Sequence, residues 1–351
     1  MTTDFAWLRD QAWPLWLERG IDRDRGGFHE WLDPATLGCD APYRRLRVAA
    51  RQVWTFARAA RHGLPGAGDA VALGLDFLAR RARRPGGGYA TRFDLAGAVT
   101  DPRLDTYDNA FCLLAFAATG ERQAAMAQLA LFEGPLRHPL GGWREGLPEV
   151  PGEARRQNPH MHLLEALHEA FLAFAEPRCL DLAEEVAGLF TDRFLDPATG
   201  TLPESFDETL APLRQGGRHA VEPGHHCEWA WLLRRHVALL GTAGRPVPPG
   251  LPTLPARLLD FARRHGIGPA HGAMVDEVWS DGTAKSGGAR LWPQAEWRRA
   301  DPGPASAAAL AAQVAGAPGG LWQERRDAAG QPVPGPVPAS SLYHLTGALM
   351  T

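Results

Sequence analysis

The chain has 351 residues, of which 45% are apolar and 22% are charged. These proportions are ordinary for a folded protein with a large core, so they exclude a largely disordered chain. The 37 basic and 40 acidic residues leave a net charge of −3, which argues against a nucleic-acid-binding protein, because such proteins usually carry a basic excess.

The N-terminus and the cysteines predict a cytoplasmic protein. Asp4, Arg9 and Asp10 place charges where a signal peptide would have its apolar core. No apolar run reaches the roughly 18 residues that a membrane-spanning helix needs, so no membrane association is expected. The cysteines show no CxxC spacing and are interpreted as reduced, buried thiols. They are Cys39, Cys112, Cys179 and Cys227.

One short phrase recurs along the chain and predicts a repeat architecture. It consists of glycine, an apolar or aromatic residue, and an alternating stretch that often ends in Asp or Glu. Each copy is predicted to be a short extended segment or hairpin. The copies are GGFHEWLD from Gly26, GGYATRFD from Gly87, GGWREGL from Gly141, GTLPESFDE from Gly200, GAMVDEVWSDG from Gly272 and GLWQERRDAAG from Gly320.

Between the phrases the apolar pattern is helical. One helix is predicted after each phrase, over 44–62, 105–119, 158–174, 223–241, 289–300 and 340–350. A second helix is predicted over 67–82, 121–133, 177–192, 251–266 and 302–316. The sixth partner must then be the N-terminal helix, over 4–19, which gives twelve helices in six pairs.

The two sets of helices differ in composition, and this difference predicts their layers. The first set is apolar on most faces, as in AFCLLAFAA from residue 110, which is typical of buried helices. The second set is more amphipathic, as in CLDLAEEVAGLF from residue 179. We therefore predict an all-α fold, an (α/α)6 barrel or toroid of six helical hairpins, with short β-hairpin loops at the active-site end.

The alternative to a closed barrel is an open helical solenoid. A solenoid would leave the N-terminal helix without a partner, so closure is favoured. The proline-rich stretches at 246–255 and 330–341 belong to the repeat and do not separate two domains. Residues 1–351 are therefore predicted to form one domain.

Polar residues that suit catalysis cluster at the starts of the predicted inner helices. In a closed ring these starts lie at one end of the barrel, so they would line one pocket. Helix capping explains Asp105, Asn158 and Ser340. It does not explain three histidine-bearing starts and two tryptophans. The cluster comprises Arg47, Arg51, Asp105, Tyr107, Asp108, His160, His162, His225, Glu228, Trp229, Trp292, Gln294, Tyr343 and His344.

His225 and Glu228 lie three residues apart in GHHCEWAW and would share a helix face. A carboxylate beside an imidazole fixes its tautomer and raises its pKa, which suits a general acid or base near neutral pH. A purely structural ion pair is the alternative. His226 and Cys227 point elsewhere on the helix and are interpreted as structural.

His162 and Glu165 repeat this spacing in NPHMHLLEALHEAF. The HxH spacing of His160 and His162 can bind a metal on a strand, where alternate residues share a face. The surrounding period is helical, so neither a metal site nor a cofactor is expected.

Arg44, Arg47, Arg51 and Arg58 form a helical stripe that is either a solvated face or, on an inner helix, a group that holds a sugar hydroxyl or an enediolate oxygen. The sequence contains neither GxxxxGK[ST] nor GxSxG, which disfavours a phosphate-binding loop and a serine hydrolase.

The helix starts resemble those of the N-acylglucosamine 2-epimerase superfamily. The matching phrases occur in the family's order, from about residue 26 to residue 345. They are RVAARQVW, DTYDNAFCLLAFA, NPHMHLLEA, EPGHHCEWAWLL, RLWPQAEW and LYH. The resemblance implies an (α/α)6 barrel that isomerises or epimerises a free sugar at C2 without a cofactor.

Position by position, the resemblance implies acid–base histidines at His225 and His344 and a third pocket histidine at His162. It also implies a carboxylate at Glu228 and an arginine at Arg51, with Arg47 as the alternative register. Tyr107, Trp292 and Gln294 match pocket-lining positions. Asp108 and Trp229, from the cluster at the helix starts, are added as substrate-binding residues.

The sequence thus predicts an aldose–ketose isomerase that interconverts mannose and fructose, or lyxose and xylulose. The expected partner is a small monosaccharide, with no nucleic acid and no membrane, and a homodimer is left open as its assembly. The alternatives are a 2-epimerase acting on N-acylglucosamine or a glucoside disaccharide, a sulfosugar isomerase, and a glycoside hydrolase on the same fold.

Overall fold

A computed structural model describes residues 4–350 and confirms the predicted double ring of helices. The inner helices are α3 (Leu46–Arg61), α5 (Thr106–Thr119), α7 (Asn158–Phe174), α9 (Pro223–Thr242), α11 (Leu291–Ala300) and α13 (Ser341–Leu349). The outer helices are α4 (Ala67–Phe77), α6 (Arg122–Glu133), α8 (Pro177–Leu189), α10 (Leu254–His265) and α12 (Pro304–Val314). The N-terminal partner consists of α1 (Phe5–Trp7) and α2 (Trp13–Arg19), joined by a π-helical turn over Leu8–Ala12.

Short antiparallel strands join each unit to the next. They are β1 (Trp31–Leu32), β2 (Arg44–Arg45), β3 (Arg92–Phe93), β4 (Val99–Asp101), β5 (Leu104–Asp105), β6 (Gly146–Leu147), β7 (Arg155–Arg156), β8 (Ser205–Phe206), β9 (Ala220–Val221), β10 (Glu277–Trp279), β11 (Ala284–Ser286), β12 (Ala289–Arg290), β13 (Arg325–Arg326) and β14 (Val337–Pro338). The strand before each inner helix pairs with the strand of the next glycine phrase: β2 with β3, β5 with β6, β7 with β8, β9 with β10 and β12 with β13. β14 pairs with β1, so the series of pairings closes into a ring.

A glycine opens each phrase because the chain turns there with a positive φ. The φ angle is 74° at Gly26 and 94° at Gly141, and the other four phrase glycines are also positive. Only glycine adopts this conformation without a steric cost. The turn reverses the chain after each outer helix, and the following segment runs as a short strand toward the start of an inner helix.

Side-chain contacts at the seam also show a closed barrel. The indole Nε1 of Trp13 donates a buried hydrogen bond of 3.1 Å to Thr346 Oγ1, which ties the N-terminal helix to α13. The Nε2 of Gln52 on α3 donates to the backbone oxygen of Ala339 at 2.7 Å, just before α13. These contacts join the first and last units, so the open solenoid is excluded.

The inner helices are apolar as their composition predicted. Every residue from Ala110 to Ala118 on α5 is buried. All four cysteines are unpaired, and Cys39 is half-buried whereas the other three are buried. Among residues 4–350, no helix combines the length and the apolarity needed to cross a membrane.

Two buried histidines on neighbouring inner helices make the fold sensitive to acid. His168 Nε2 on α7 lies 3.1 Å from His236 Nδ1 on α9, and the rings stack with their centroids 5.2 Å apart. Burial lowers the pKa of His168 well below its usual value and lowers the pKa of His236 to about 4. In the unfolded chain both histidines take up protons below a pH of about 6.5. Stability is therefore expected to fall as the pH drops from about 6.5 toward 4.

The double variant His168→Leu/His236→Leu is expected to weaken this pH dependence. Each depressed histidine contributes up to about 1.4 kcal/mol per pH unit to the free energy of unfolding, and leucine removes that contribution. Urea unfolding at about pH 7 and about pH 5 measures the slope. His265→Gln, at an exposed histidine, is the control and should keep the wild-type slope. An unchanged slope in the double variant would contradict the assignment.

Candidate active site

The starts of the six inner helices enclose one polar pocket of about 170 Å³. This volume is below the roughly 300–1,000 Å³ of typical sites for drug-sized ligands, so the pocket suits a ligand the size of one sugar. Every inner helix or the residue before it contributes to the lining. The lining residues are Arg51, Tyr107, Asn158, His162, Glu222, His225, Glu228, Arg290, Trp292 and His344.

His225 lies beside two carboxylates. Its Nδ1–H donates a hydrogen bond of 2.8 Å to Glu204 Oε2, and Gln157 Nε2 donates to the same oxygen at 3.0 Å. Burial alone would lower the pKa of His225, but the carboxylates of Glu204 and Glu222 outweigh burial and raise that pKa above its usual value. His225 is therefore the pocket histidine that holds a second proton most strongly.

The surroundings of His344 shift its pKa in the opposite direction. Its Nδ1–H donates to Glu296 Oε1 at 2.7 Å, and Glu296 Oε2 lies 3.5 Å from the guanidinium of Arg299. Burial lowers the pKa of His344, and Glu296 offsets this only in part. Near neutral pH the ring is uncharged, and because Nδ1 holds the hydrogen, Nε2 has the free lone pair of a base.

The indole ring of Trp292 contacts both histidines. Its centroid lies 4.8 Å from that of His225 and 5.8 Å from that of His344. Gly224 permits this approach, because a Cβ there would lie 2.7 Å from the Trp292 ring. The glycine of the EPGHH phrase therefore lets the tryptophan reach the start of α9.

A group of charged and polar side chains forms the floor of the pocket. His162 Nδ1 lies 3.5 Å from Glu165 Oε2 and 3.7 Å from Glu228 Oε1. Arg299 pairs with Glu165 at 3.1 Å, and the Tyr343 hydroxyl donates to the same carboxylate. Burial lowers the pKa of His162 to about 4, so this histidine is neutral. The predicted pairing of His162 with Glu165 is confirmed in its geometry.

Glu228 is the floor carboxyl without a hydrogen-bond partner among residues 4–350. Both of its oxygens are buried. Burial, together with the charges of Glu296 and Glu165, raises the pKa of Glu228 well above its usual value. The raised pKa favours the protonated carboxyl, which can donate a hydrogen bond into the pocket.

The structure brings Arg51 into the pocket and leaves Arg47 at its edge. Arg51 Nη2 donates to the Tyr107 hydroxyl at 2.6 Å, and its guanidinium lies 4.2 Å from the centroid of the Phe111 ring. Within the described chain no carboxylate lies at ion-pair distance from Arg51. Arg47 instead pairs with Asp108 at 2.8 Å.

The predicted pairing of His225 with Glu228 is not formed. Three residues along α9 place Glu228 on the pocket floor, where it faces His162. The carboxylate partner of His225 is Glu204, which reaches it from the preceding glycine phrase. The spacing rule identified two pocket residues correctly but paired them wrongly, because a residue outside the helix supplies the closer carboxylate.

Three predicted substrate-binding residues are fully buried outside the pocket, so they cannot contact a ligand there. Gln294 joins α11 to the backbone of Met274, donating to its oxygen at 2.7 Å and accepting from its N–H at 2.8 Å. Trp229 donates from Nε1 to Gln157 Oε1 at 2.6 Å. Asp108 is occupied by its ion pair described above. Each lies near a pocket residue in sequence, but the helical rotation turns its side chain away.

His226 faces away from the pocket as predicted, and so does His160, which the sequence had placed in the cluster at the helix starts. His160 Nε2 accepts from the backbone N–H of Trp143 at 3.1 Å, and His226 Nε2 accepts from that of Leu202 at 3.0 Å. Both bonds tie inner helices to the strands of the glycine phrases.

Sequence reasoning missed several site residues. Asn158 was explained as a helix cap, but its amide lies 3.3 Å from His225 Nε2. Glu204 could have been found, because the fifth position of the glycine phrase is acidic in five of the six copies. The other missed residues are Glu222, Arg290, Glu296 and Arg299.

Three groups of side chains have the spacing to hold a metal ion. They are His162–Glu165–Glu228, Glu228–Glu296–His344 and Glu204–Glu222–His225. In the first two groups Arg299 already compensates Glu165 and Glu296, so a cation would compete with a buried guanidinium. In the third group a cation would displace the Nδ1 proton of His225. These contacts favour proton transfer over metal binding, and metal independence stays a prediction.

The fold and the site together define a helical-barrel protein whose buried polar pocket suits a small polar ligand. The family model described as N-acylglucosamine 2-epimerase matches residues 26–348, and the chain belongs to this family. It is therefore a sugar isomerase or 2-epimerase.

The named relatives include two sugar isomerases. A mannose-6-phosphate isomerase of Rhizobium meliloti (strain 1021) is 35% identical over 373 residues, which cover 98% of this chain and 94% of the relative. A D-mannose isomerase of Thermobifida fusca is 31% identical over 270 residues, covering 70% and 64%. A crystal structure of D-mannose isomerase superposes with a TM-score of 0.85 at 21% identity, covering 99% and 97%, which shows the shared fold.

Arg299 is expected to be essential for stability, because one buried guanidinium compensates two buried carboxylates. Arg299→Leu would leave Glu165 and Glu296 unpaired, and breaking a buried pair costs about 3–5 kcal/mol. Denaturant unfolding measures the loss. The neighbouring Arg298→Leu is the matched control and should change the free energy of unfolding by less than about 0.5 kcal/mol. Equal effects of the two substitutions would show that the buried pairs do not hold the floor together.

Proposed function

We propose that the protein is an aldose–ketose isomerase acting on a free monosaccharide, with mannose and fructose, or lyxose and xylulose, as its substrate pairs. The observation that carries the proposal is the pair of unlike histidines that contact one tryptophan. The carboxylates of Glu204 and Glu222 raise the pKa of His225 and so favour its charged form, whereas burial lowers the pKa of His344 and leaves Nε2 with a free lone pair. An isomerase needs such a combination of an acid and a base in one pocket.

The chemistry assigns one step to each group. His225 donates a proton to the ring oxygen as the C1–O5 bond breaks, while the O1 hydroxyl releases its proton to water and C1=O1 forms. His344 then takes the C2 proton, and the electron pair forms the C1=C2 bond of a cis-enediolate with its negative charge on O1. Arg51 stabilises that oxygen. A proton passes from O2 to O1, His344 returns its proton to C1, and the ketose results.

A neutral sugar is favoured over a phosphorylated or sulfonated one. The relative named mannose-6-phosphate isomerase makes a phosphosugar the main alternative substrate. An anionic group would need unpaired cations, but the arginines at the ends of β2, β7 and β12 each pair with a carboxylate. These pairs are Arg45–Glu30, Arg156–Glu145 and Arg290–Asp276. Arg51, the pocket arginine that lacks an ion pair among the described residues, is already bound to Tyr107.

A 2-epimerase is the second candidate, favoured by the cellobiose 2-epimerase of Bacteroides fragilis, which is 25% identical over 68% of this chain. Epimerisation needs proton transfer to both faces of C2, and a second pocket histidine, His162, is available. The small pocket volume speaks against a disaccharide lying wholly inside it. The product from mannose therefore separates the two candidates.

NMR of sugars incubated with the enzyme in D₂O tests the proposal directly. A panel of mannose, lyxose, glucose, N-acetylglucosamine, cellobiose and mannose 6-phosphate should give ketose from mannose or lyxose, with deuterium at C1 of the ketose or at C2 of the recovered aldose. The rate should be the same in EDTA, because the acid and base are protein side chains. Epimer without ketose would favour the second candidate. Turnover of the phosphosugar alone, or loss of activity in EDTA that a divalent ion restores, would overturn the proposal.

Replacing either pocket histidine by asparagine should nearly abolish turnover. Because positioned proton transfer is worth about 10²–10⁴-fold in rate, His225→Asn and His344→Asn should lower kcat by that order. His226→Asn is the matched control on the same helix. It should lower the melting temperature through its lost bond to Leu202 but leave kcat within a fewfold. Full activity in His344→Asn would remove the base from the mechanism.

A further inference from the structure

A single carboxylate contact is repeated around the barrel mouth. In four of the six units the side chain of the fifth residue of the glycine phrase accepts a hydrogen bond from the backbone N–H of a residue just before the next inner helix. In three units that donor residue is arginine, and its Nε–H also binds the carboxylate. The bonds are 2.6 and 2.5 Å from Arg45 to Glu30, 2.7 and 2.7 Å from Arg156 to Glu145, and 2.9 and 2.9 Å from Arg290 to Asp276.

The fourth unit departs from this pattern at one position. Its phrase carboxylate, Glu204, accepts the expected backbone bond at 3.0 Å, but the donor residue is Glu222. No guanidinium from the donor residue therefore binds the second oxygen of Glu204. That oxygen instead accepts from His225 Nδ1 at 2.8 Å and from Gln157 Nε2 at 3.0 Å. The phrase carboxylate, which makes a structural contact in the other units, therefore binds a pocket histidine in this unit.

The charged groups around His225 come from three elements. Glu204 approaches from the glycine phrase, Glu222 from the residue before α9, and Arg290 from the end of β12, where it pairs with Glu222 at 2.8 Å. The other titratable or charged groups of the pocket are Arg51, Tyr107, His162, Glu228 and His344. The two carboxylates favour the charged imidazole and Arg290 opposes it, so the balance depends on Glu204 remaining ionised.

We propose that Glu204 and Glu222 are positioning residues that together hold His225 doubly protonated, and that glutamate at position 222, in place of the arginine found in three other units, is what frees Glu204 for this role. Neither residue transfers a proton itself: Glu204 fixes the ring through Nδ1, and Nε2–H, which lies beside the Asn158 amide at 3.3 Å, is the group that acts on the sugar. The inference rests on the proposed function in one respect, because the proposed function makes the charged His225 the acid that opens the sugar ring.

The direct test is an NMR titration of the His225 ring in the ligand-free enzyme, with the signal assigned by its absence in His225→Asn. In Glu204→Gln the titration midpoint should fall by at least about one pH unit, a tenfold weaker hold on the proton. Glu222→Arg should lower it as well, because a guanidinium would then compete for Glu204. Glu204→Asp, which keeps the charge, should restore much of the shift.

Glu145→Gln is the matched control, because it removes the same phrase carboxylate from the third unit. It should lower the melting temperature without moving the His225 titration. An unchanged midpoint in Glu204→Gln, or an equal shift in Glu145→Gln, overturns the proposal. If Glu204→Gln does not fold, Glu222→Gln serves as the test. Loss of the Glu222 charge alone should lower the titration midpoint of His225. An unchanged midpoint in Glu222→Gln would also overturn the proposal.

The pH dependence of kcat/KM gives a second readout. If the acid must be protonated, a weaker hold on its proton moves the alkaline limb of the profile to lower pH in Glu204→Gln by the amount seen in the titration. The titration needs no turnover, so it decides the role of Glu204 even if no sugar in the panel reacts. Conversely, if the enzyme turns over mannose but the titration midpoint of His225 does not change in Glu204→Gln, the proposed function stands and only this inference is rejected.

Discussion

The site depends on how each unit holds the start of an inner helix through its neighbour. A helix begins with backbone N–H groups that have no partner inside the helix. Five of the six inner helices have no side-chain cap bond at their start. In three of the six inner helices, including the capped α5, the first N–H donates to a carbonyl of the next glycine phrase. These bonds are Leu46 to Thr91 at 2.9 Å, Thr106 to Glu145 at 3.0 Å and Leu291 to Glu324 at 3.0 Å.

This arrangement explains why residues far apart in sequence meet with such precision. A two-residue strand pair is marginal by itself. Here the pairs form a closed series, because β14 returns to β1, and each pair is reinforced by a phrase carboxylate or carbonyl. Rotation of one inner helix would therefore disturb the two units beside it. The geometry of the pocket therefore depends on the whole ring and not on a single loop.

The ring also creates two different environments for the same chemical group. Glu204 and Glu296 both accept from an Nδ1–H, at 2.8 and 2.7 Å. The two carboxylates differ in their own neighbours. Arg299 compensates Glu296, whereas Glu222 adds a second negative charge near His225. Burial disfavours the charged form of both rings, so the surrounding carboxylates decide which ring keeps its proton. An acid and a base thus arise from two histidines in one pocket.

The sequence predicted the layers, the helix bounds and most of the pocket, because burial and glycine turns leave periodic signals. The apolar run on α5 identified an inner helix, and the glycine turns identified the strands. The sequence did not correctly predict the side-chain contacts that join one unit to the next. Glu228 was paired with His225 because helix spacing is local, while the true partner lies 21 residues earlier. Gln294 and Trp229 were placed in the pocket because their neighbours are there, although one residue along a helix rotates a side chain by about 100°.

The pocket floor shows why the third carboxyl must be neutral. One buried guanidinium, Arg299, faces Glu165, Glu296 and Glu228, and it pairs with the first two. A third buried negative charge would have to share Arg299 and Arg51 with the other groups around it, and burial disfavours the charged form, so the protonated carboxyl is favoured. Glu228 therefore presents a donor to the pocket, where an ionised carboxylate could only accept. A hydrogen-bond donor on the floor, together with Arg51, which has no ion pair among the described residues, suits the lone pairs of sugar hydroxyl oxygens better than it suits a cation.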